Sequence, residues 1–329
     1  MGKISYAAIA GSLGQVSDRF MTVGYKDSTG DNTFEGVIKR LASLGLLDAI
    51  ELCYSSEGLE SDPVYVKKIL DENKLPTSFV NSSFFGERIW KAGSLAASDK
   101  DVREAAMQTC YKLIDFADST GAEGVNLWLG QDGYDYPFQV DYKKQWNWLV
   151  DSLKTLADYK SNIKILLEAK PREPRNRSLV DTTSTALMMA IESDRDNVGV
   201  TIDIGHVLYA GGNMAHDVEI SDKYGKLFNL HVNDNYSTWD DDMIVGSVHL
   251  VEYLELYYVL KKIDYNGAFS VDIFPYREDP AEATKECLLN MKLYEKLVDK
   301  IGMDKIEKVI ESGNACLATK MIREELFEI

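Results

Sequence analysis

"YKKQWNWLVDSLKTLADYKSNIKILLEAKP", residues 142–171, contains both halves of the pattern that decides the fold. Over 142–160 apolar residues recur at intervals of three and four, the period of a helix with one buried face. Over 164–170, "KILLEAK" is a short β-rich run, ended by Pro171, which has no N–H to give a neighbouring strand. The same alternation continues in both directions. Further strands are predicted at "ISYAAIAG" (4–11), "AIELCY" (49–54), "TSFVNSS" (77–83), "GVNLWLG" (124–130), "VGVTIDIG" (198–205), "LFNLHVN" (227–233) and "GAFSVDIF" (267–274). Helical stretches such as "DVREAAMQTCYKLIDFADSTG" (101–121) and "LVEYLELYYVLKKID" (250–264) lie between them. Eight strands separated by helices predict an α/β chain folded as a closed (β/α)8 TIM barrel over residues 1–302. A C-terminal helical extension follows over 303–329 and is expected to pack on its own barrel. A doubly wound open sheet is the competing fold, but the chain has neither G-x-G-x-x-G after the first strand nor a G-x-x-x-x-G-K-[ST] loop.

The 329 residues suit a single large barrel, and an apolar content of 45% is ample for its core. The 53 acidic and 36 basic residues leave a net charge of -17, which repels nucleic-acid phosphates and anionic lipid and favours neutral or cationic ligands. The opening "MGKISYAAIAG" carries no signal-peptide cleavage pattern, and its sixth residue is Tyr where a myristoylation motif needs Ser or Thr. With no apolar stretch long enough to span a bilayer, the expected location is the cytoplasm. Cys53, Cys110, Cys287 and Cys316 form no C-x-x-C pair and are expected to be reduced and mostly buried.

In such a barrel the chemistry sits at the carboxyl ends of the strands. In "KILLEAKP" the period of two places Leu166, Glu168 and Lys170 on one side, although an acid and a base on one strand could simply neutralise each other. "VTIDIGHVLYAG" offers Asp203 and His206; on a straight strand they would face opposite ways, and Gly205 permits a bend that could bring them to one centre. Of the four histidines, His206 and His231 fall at strand ends, and the last strand carries Asp272 among apolar neighbours. A carboxylate there needs a charged partner or a cation if it faces inward. In "TWDDDM" (238–243), read as an extended loop, Asp240 and Asp242 project together while Asp241 faces water. Carboxylates this close resist joint ionisation unless a cation lies between them. Glu168, Asp203, His206, His231, Asp240, Asp242 and Asp272 exceed the needs of one divalent ion and suit two. Oxygen and nitrogen donors without thiolate favour Mn²⁺, Co²⁺ or Mg²⁺ over a structural Zn²⁺.

At these residues the chain resembles the xylose isomerase-like TIM barrels, and within them the L-rhamnose isomerase branch of aldose-ketose isomerases. The resemblance runs from about residue 90 to 275 and is carried by "LWLGQDGYDYP", "LLEAKPREP", "TIDIGHV", "LHVND" and "WDDDMIVGS". It implies one metal held by Glu168, Asp203, His231 and Asp272, and a second held by His206, Asp240 and Asp242. It also implies that Lys170 hydrogen-bonds a substrate oxygen and that Trp128 forms an apolar wall against the sugar. The implied reaction is interconversion of an aldose and a ketose by hydride transfer between C1 and C2, in a homo-oligomer. His206, Lys170 and Asp272 are the implied catalytic groups, and Mn is the leading metal ahead of Co, Mg and Zn.

One departure stands out. The family usually carries an early histidine that helps open the sugar ring, and residues 1–205 contain none. Glu51, Asn81 or a water could substitute, or the substrate could arrive open-chain. Substrate selection is assigned to the early loops, around "NSSFFGERIWKAGSL" (81–95) and the first 30 residues, with Glu51, Asn81 and Trp90 as candidates. The competing chemistries on the same barrel are a ketose 3-epimerase and an enzyme that eliminates an aglycone from a 3-oxo-sugar. Both abstract a proton beside a carbonyl. A non-catalytic sugar-binding module is a further alternative. An apurinic endonuclease would need a basic groove that this charge does not supply.

Overall fold

The computed structural model describes residues 3–13, 21, 24–25, 30–54 and 58–327, so half of the first 30 residues, to which substrate selection is assigned, lie outside the described residues. Eight strands make the barrel, in chain order β1 (Ser5–Ala8), β2 (Ile50–Cys53), β3 (Thr77–Asn81), β4 (Gly124–Trp128), β5 (Lys164–Glu168), β6 (Val198–Asp203), β7 (Leu227–Val232) and β8 (Ala268–Val271), and the short segments Gly133–Tyr134 and Arg177–Ser178 pair with each other outside it. Neighbours pair in parallel from β2 through β8, and β8 returns to β1 in the register Ser5↔Ala268. A parallel bridge between Ile9 and Glu51 brings β1 to β2 and closes the ring. The predicted (β/α)8 TIM barrel is therefore the fold, with the predicted runs trimmed mainly at their carboxyl ends, where the chain leaves the sheet.

Helices return the chain outside the barrel, among them Phe34–Ser43, Pro63–Asn73, Lys100–Thr120, Tyr142–Tyr159, Leu250–Lys262 and Pro280–Ile301. Their starts follow the sequence. Thr33, Asp62, Asp99, Asp141 and Asp279 each cap a helix by accepting a backbone N–H with the side chain. The segment beyond Ile301 forms helices Met303–Ser312 and Ala315–Phe327, which bury Ile306 and Met321 against the barrel's own last helix and exchange a Lys305–Glu325 ion pair of 2.6 Å. No helix among the described residues is long and apolar enough to cross a membrane. All four cysteines are free; Cys110 and Cys287 are buried as expected, but Cys53 and Cys316 are exposed, because one ends a strand at an open cavity and the other lies on an outer helix.

The barrel interior is layered by the two-residue period of the strands. Phe79, Leu166 and Ala268 form a small separate apolar cluster. Two residues further along the same strands the inward side chains become polar, with Asn81 on β3, Glu168 on β5 and Ser270 on β8. Apolar packing thus supports a polar mouth.

Candidate active site

Four donors converge at the strand ends. Glu168 ends β5, Asp203 ends β6, His231 lies on β7, and Asp272 follows β8. One ligand atom from each lies within 4.8 Å of the others. His231 Nδ1 sits 3.6 Å from Glu168, 4.0 Å from Asp203 and 3.4 Å from Asp272. A second group adjoins the first through Glu168. His206 Nδ1 is 3.3 Å from Glu168 Oε1, and its Nε2 is 3.3 Å from Asp240 Oδ2. Asp240 also accepts an ion pair of 2.7 Å from Lys170, whose ammonium is shared at 2.7 Å with Glu173.

Local structure explains how Asp203 and His206 meet. The strand stops at Asp203, whose carboxylate caps the short helix Ile204–Tyr209 by accepting the His206 N–H at 2.8 Å. The helical turn, and not a flexible glycine, redirects the chain. Gly205 is required for space: a Cβ there would come within 1.8 Å of Asn233 Oδ1. Asn233 in turn donates to both oxygens of Asp203 at 3.2–3.3 Å.

Asp240 and Asp242 line the same cavity of about 170 Å³ as Glu168, Lys170, His206, His231 and Asp272. They do not reach it through a fully extended loop, since Asp242 adopts φ 48° and Met243 pairs back with Asp234. Asp241 is half-buried instead of facing water; its carboxylate accepts the Tyr236 N–H at 3.1 Å and ties the loop to itself. Trp128 and Asn81 also line the cavity. The Trp128 ring lies 5.1 Å from the Lys170 ammonium and 4.9 Å from the Phe85 ring, so it forms an apolar wall beside the charges.

Two predicted substrate residues lie elsewhere. Trp90 is buried in the outer core, edge-on to Phe84 at 5.1 Å, because its helical turn faces the body of the protein. Glu51 is fully buried beneath the mouth, held by Asn81, Asn229 and His231 Nε2 at 2.9–3.3 Å. It stands behind His231, an arrangement that fixes the ring so that Nδ1 faces the cluster. We expect Glu51→Gln to weaken divalent-cation affinity about 10–100-fold. Isothermal titration with Mn²⁺ reads this, and unchanged affinity would deny Glu51 the positioning role.

Asn126, Asn229 and Asn233 were not singled out from the sequence. Asn126 links Asn81 to Glu168, and Asn229 satisfies Glu51. Asp234 pins the next loop by accepting the backbone N–H of Val248 and of His249 at 2.8 and 3.0 Å. For Asn229 the signal available was its position on β7, two residues before the inward-facing His231.

Electrostatics mark the mouth as a place of unbalanced charge. Burial, followed by the fields of Asp272 and Glu168, raises Asp203 to about 7. Burial opposes the charged form of His206, but Asp203 and Asp240 outweigh it and raise the ring to about 9. Burial also works against ionised Glu168, but the two imidazoles overcome it and hold the carboxyl down to about 2. Asp242 is pushed well above the usual carboxylate range by burial and by Asp240. His206 Nδ1, His231 Nδ1, Asp240 Oδ1 and Asp272 Oδ1 are buried without a hydrogen-bond partner. Orphaned nitrogen and oxygen atoms of these types, on side chains that line one cavity, fit a divalent cation.

Fold and donor set together define an α/β-barrel protein with a carboxylate and imidazole centre at its strand ends. Residues 38–294 match the xylose isomerase-like TIM barrel family, and the chain belongs to it. The xylose isomerase of Thermus thermophilus is 29% identical over 222 residues, 66% of this chain and 57% of that protein, so the match spans less than two thirds of the relative. Among solved structures, 3-keto-D-glucoside 4-epimerase from E. coli superposes with a TM-score of 0.68 at 16% identity, covering 88% of this chain and 100% of the other. An L-ribulose 3-epimerase gives 0.69 at 14% identity, covering 90% and 97%.

Proposed function

We propose that this protein is a metal-dependent sugar isomerase that interconverts an aldose and its ketose by hydride shift. The observation that carries the reading is the four-donor cluster of Glu168, Asp203, His231 and Asp272, with His206 3.3 Å from Glu168 and Lys170 paired to the adjoining Asp240. Glu168, Asp203, His231 and Asp272 would hold one cation, and His206, Asp240 and Asp242 a second. Divalent ions held there, Mn²⁺ first and Co²⁺, Mg²⁺ or Zn²⁺ as alternatives, would supply Lewis-acid polarisation of sugar oxygens.

The chain's own groups do the rest. Lys170, kept protonated by Asp240 and Glu173 despite its burial, offers a hydrogen bond to the oxygen that gains negative charge. Trp128 and Phe85 keep water away from the carbon that gives or receives hydride. Asn126 and Glu51 hold Glu168 and His231 in place.

A ketose 3-epimerase is the second reading, supported by the epimerase folds and by Glu168 and Asp272, two carboxylates that approach His231 Nδ1 from different strands. Elimination from a 3-oxo-sugar would use the same pair. Turnover in D₂O separates these chemistries. Hydride shift leaves the product carbon largely unlabelled, whereas heavy deuterium at C1 or C2 would remove the hydride mechanism and deuterium at C3 would establish the epimerase. A Mn²⁺-stabilised protein with no turnover across a sugar panel would leave a binding module.

A pH dependence follows from the raised groups. Asp203, ordinarily near 3.8 and here about 7, and His206, ordinarily near 6.5 and here about 9, hold protons in the folded metal-free chain that the unfolded chain releases earlier. Their contribution to stability is present at low pH and is lost as pH rises through those values. A cation substitutes for these protons. The increase in melting temperature on adding Mn²⁺ is therefore expected to grow between about pH 5 and about pH 8. A shift independent of pH would mean that the cation binds elsewhere.

A further inference from the structure

The period of two puts Glu51 and Cys53 on the same inward face of β2. Glu51 is the lower of the two and disappears beneath His231. Cys53, one step higher, is exposed, and what it faces is the cavity shared with Glu168, His231, Asp240 and Asp272. Strand order places β2 four positions from β6 in either direction around the closed ring, so Cys53 stands across the mouth from Asp203 and His206. Its sulfur is not part of the four-donor cluster.

We infer that Cys53 is a specificity-determining residue of the sugar site, its neutral thiol forming wall against which the substrate packs opposite the charged strand ends. The inference rests on the proposed sugar-binding function. The cavity that Cys53 lines is also lined by Asp240 and His206, only 5% and 8% exposed, whose Oδ1 and Nδ1 have no hydrogen-bond partner. The half of the wall contributed by the early strands and their loops, with Ile9, Asn81, Phe85 and Trp128, carries no charge among its described residues. A thiol suits that half, since it packs as a small apolar group with only a weak S–H donor. Its role is contact, not nucleophilic attack.

The test compares the four cysteines of one protein. Methyl methanethiosulfonate, a small uncharged reagent, is applied to the Mn²⁺-loaded full chain with and without D-xylose or D-xylulose, and modification at each cysteine is followed by mass spectrometry. Exposed Cys316 reports bulk reactivity, and buried Cys110 and Cys287 report unfolding. Sugar at five times its dissociation constant is expected to slow modification of Cys53 about sixfold and leave Cys316 unaffected. In a second arm, Cys53→Leu is expected to raise KM with kcat largely kept, Cys53→Ser to restore KM, and the Mn²⁺-induced melting shift to stay at its wild-type size in both. Sugar that stabilises the protein while Cys53 is modified at an undiminished rate overturns the inference alone, as does a wild-type KM in Cys53→Leu. Failure of the wild-type protein to bind either sugar or any other aldose or ketose of a panel overturns the functional reading, and this inference with it.

Discussion

Glu168→Gln is expected to abolish both turnover and the stabilisation of the protein by Mn²⁺. Glu168 approaches both imidazoles, 3.3 Å from His206 and 3.6 Å from His231, and lies nearer to each than Asp203 at 3.9 and 4.0 Å. Its low pKa, about 2, reports how strongly that surrounding favours a negative charge against the penalty of burial. The amide keeps the shape and can still accept from Asn126, so the fold should persist. What disappears is the charge that joins the two donor groups. Loss of several kcal/mol of Lewis-acid assistance corresponds to a fall of about a thousandfold or more in kcat. Calorimetry with and without Mn²⁺, alongside a coupled sugar assay, measures both. A variant that retains the wild-type Mn²⁺ shift would remove Glu168 from the metal centre.

Lys170→Met should reduce kcat by about 10²–10³ while KM changes little, because the lost hydrogen bond is one that strengthens as charge develops. The side chain is only 7% exposed and its ammonium is divided between Asp240 and Glu173, each at 2.7 Å. Removing it leaves Asp240 with His206 as its remaining partner. A buried carboxylate that loses its cation costs about 3–5 kcal/mol, so the metal-free variant should also melt earlier. Added Mn²⁺ should restore much of the melting temperature without restoring kcat. If kcat stays within about threefold of wild type, Lys170 is a structural ion-pair partner and not the oxyanion donor.

Much of the site was legible because a parallel strand obeys a simple rule. Glu168 and His231 lie on barrel strands at inward positions, so the period of two and the position of the strand end located both. Asp203 was legible as a strand-end carboxylate, but the way it reaches His206 was not, since the expected bend at Gly205 is a capped helical turn. That turn depends on Asn233 occupying the space beside the glycine, a contact across 28 residues of chain. Glu51 and Trp90 were misread for the same reason. A residue's inward or outward direction follows from local period, but its depth in the barrel and the neighbour that claims it do not. Glu51 was claimed by His231, 180 residues away.

The loops divide similarly. That Asp240 and Asp242 project toward one place was readable from their spacing, and both line one cavity, yet Asp242 arrives there through a left-handed backbone conformation and a bridge between Asp234 and Met243. The amino-acid sequence by itself determined the alternation of strands and helices, the closed parallel barrel and the residue types available for chemistry, because periodicity, capping and chain termination of strands are local. Only the tertiary structure decided which of those side chains face one cavity, which are buried behind them, and that Cys53 opens onto the mouth. Those outcomes depend on strand register and on distant partners competing for the same polar atoms, and neither is encoded within any single stretch.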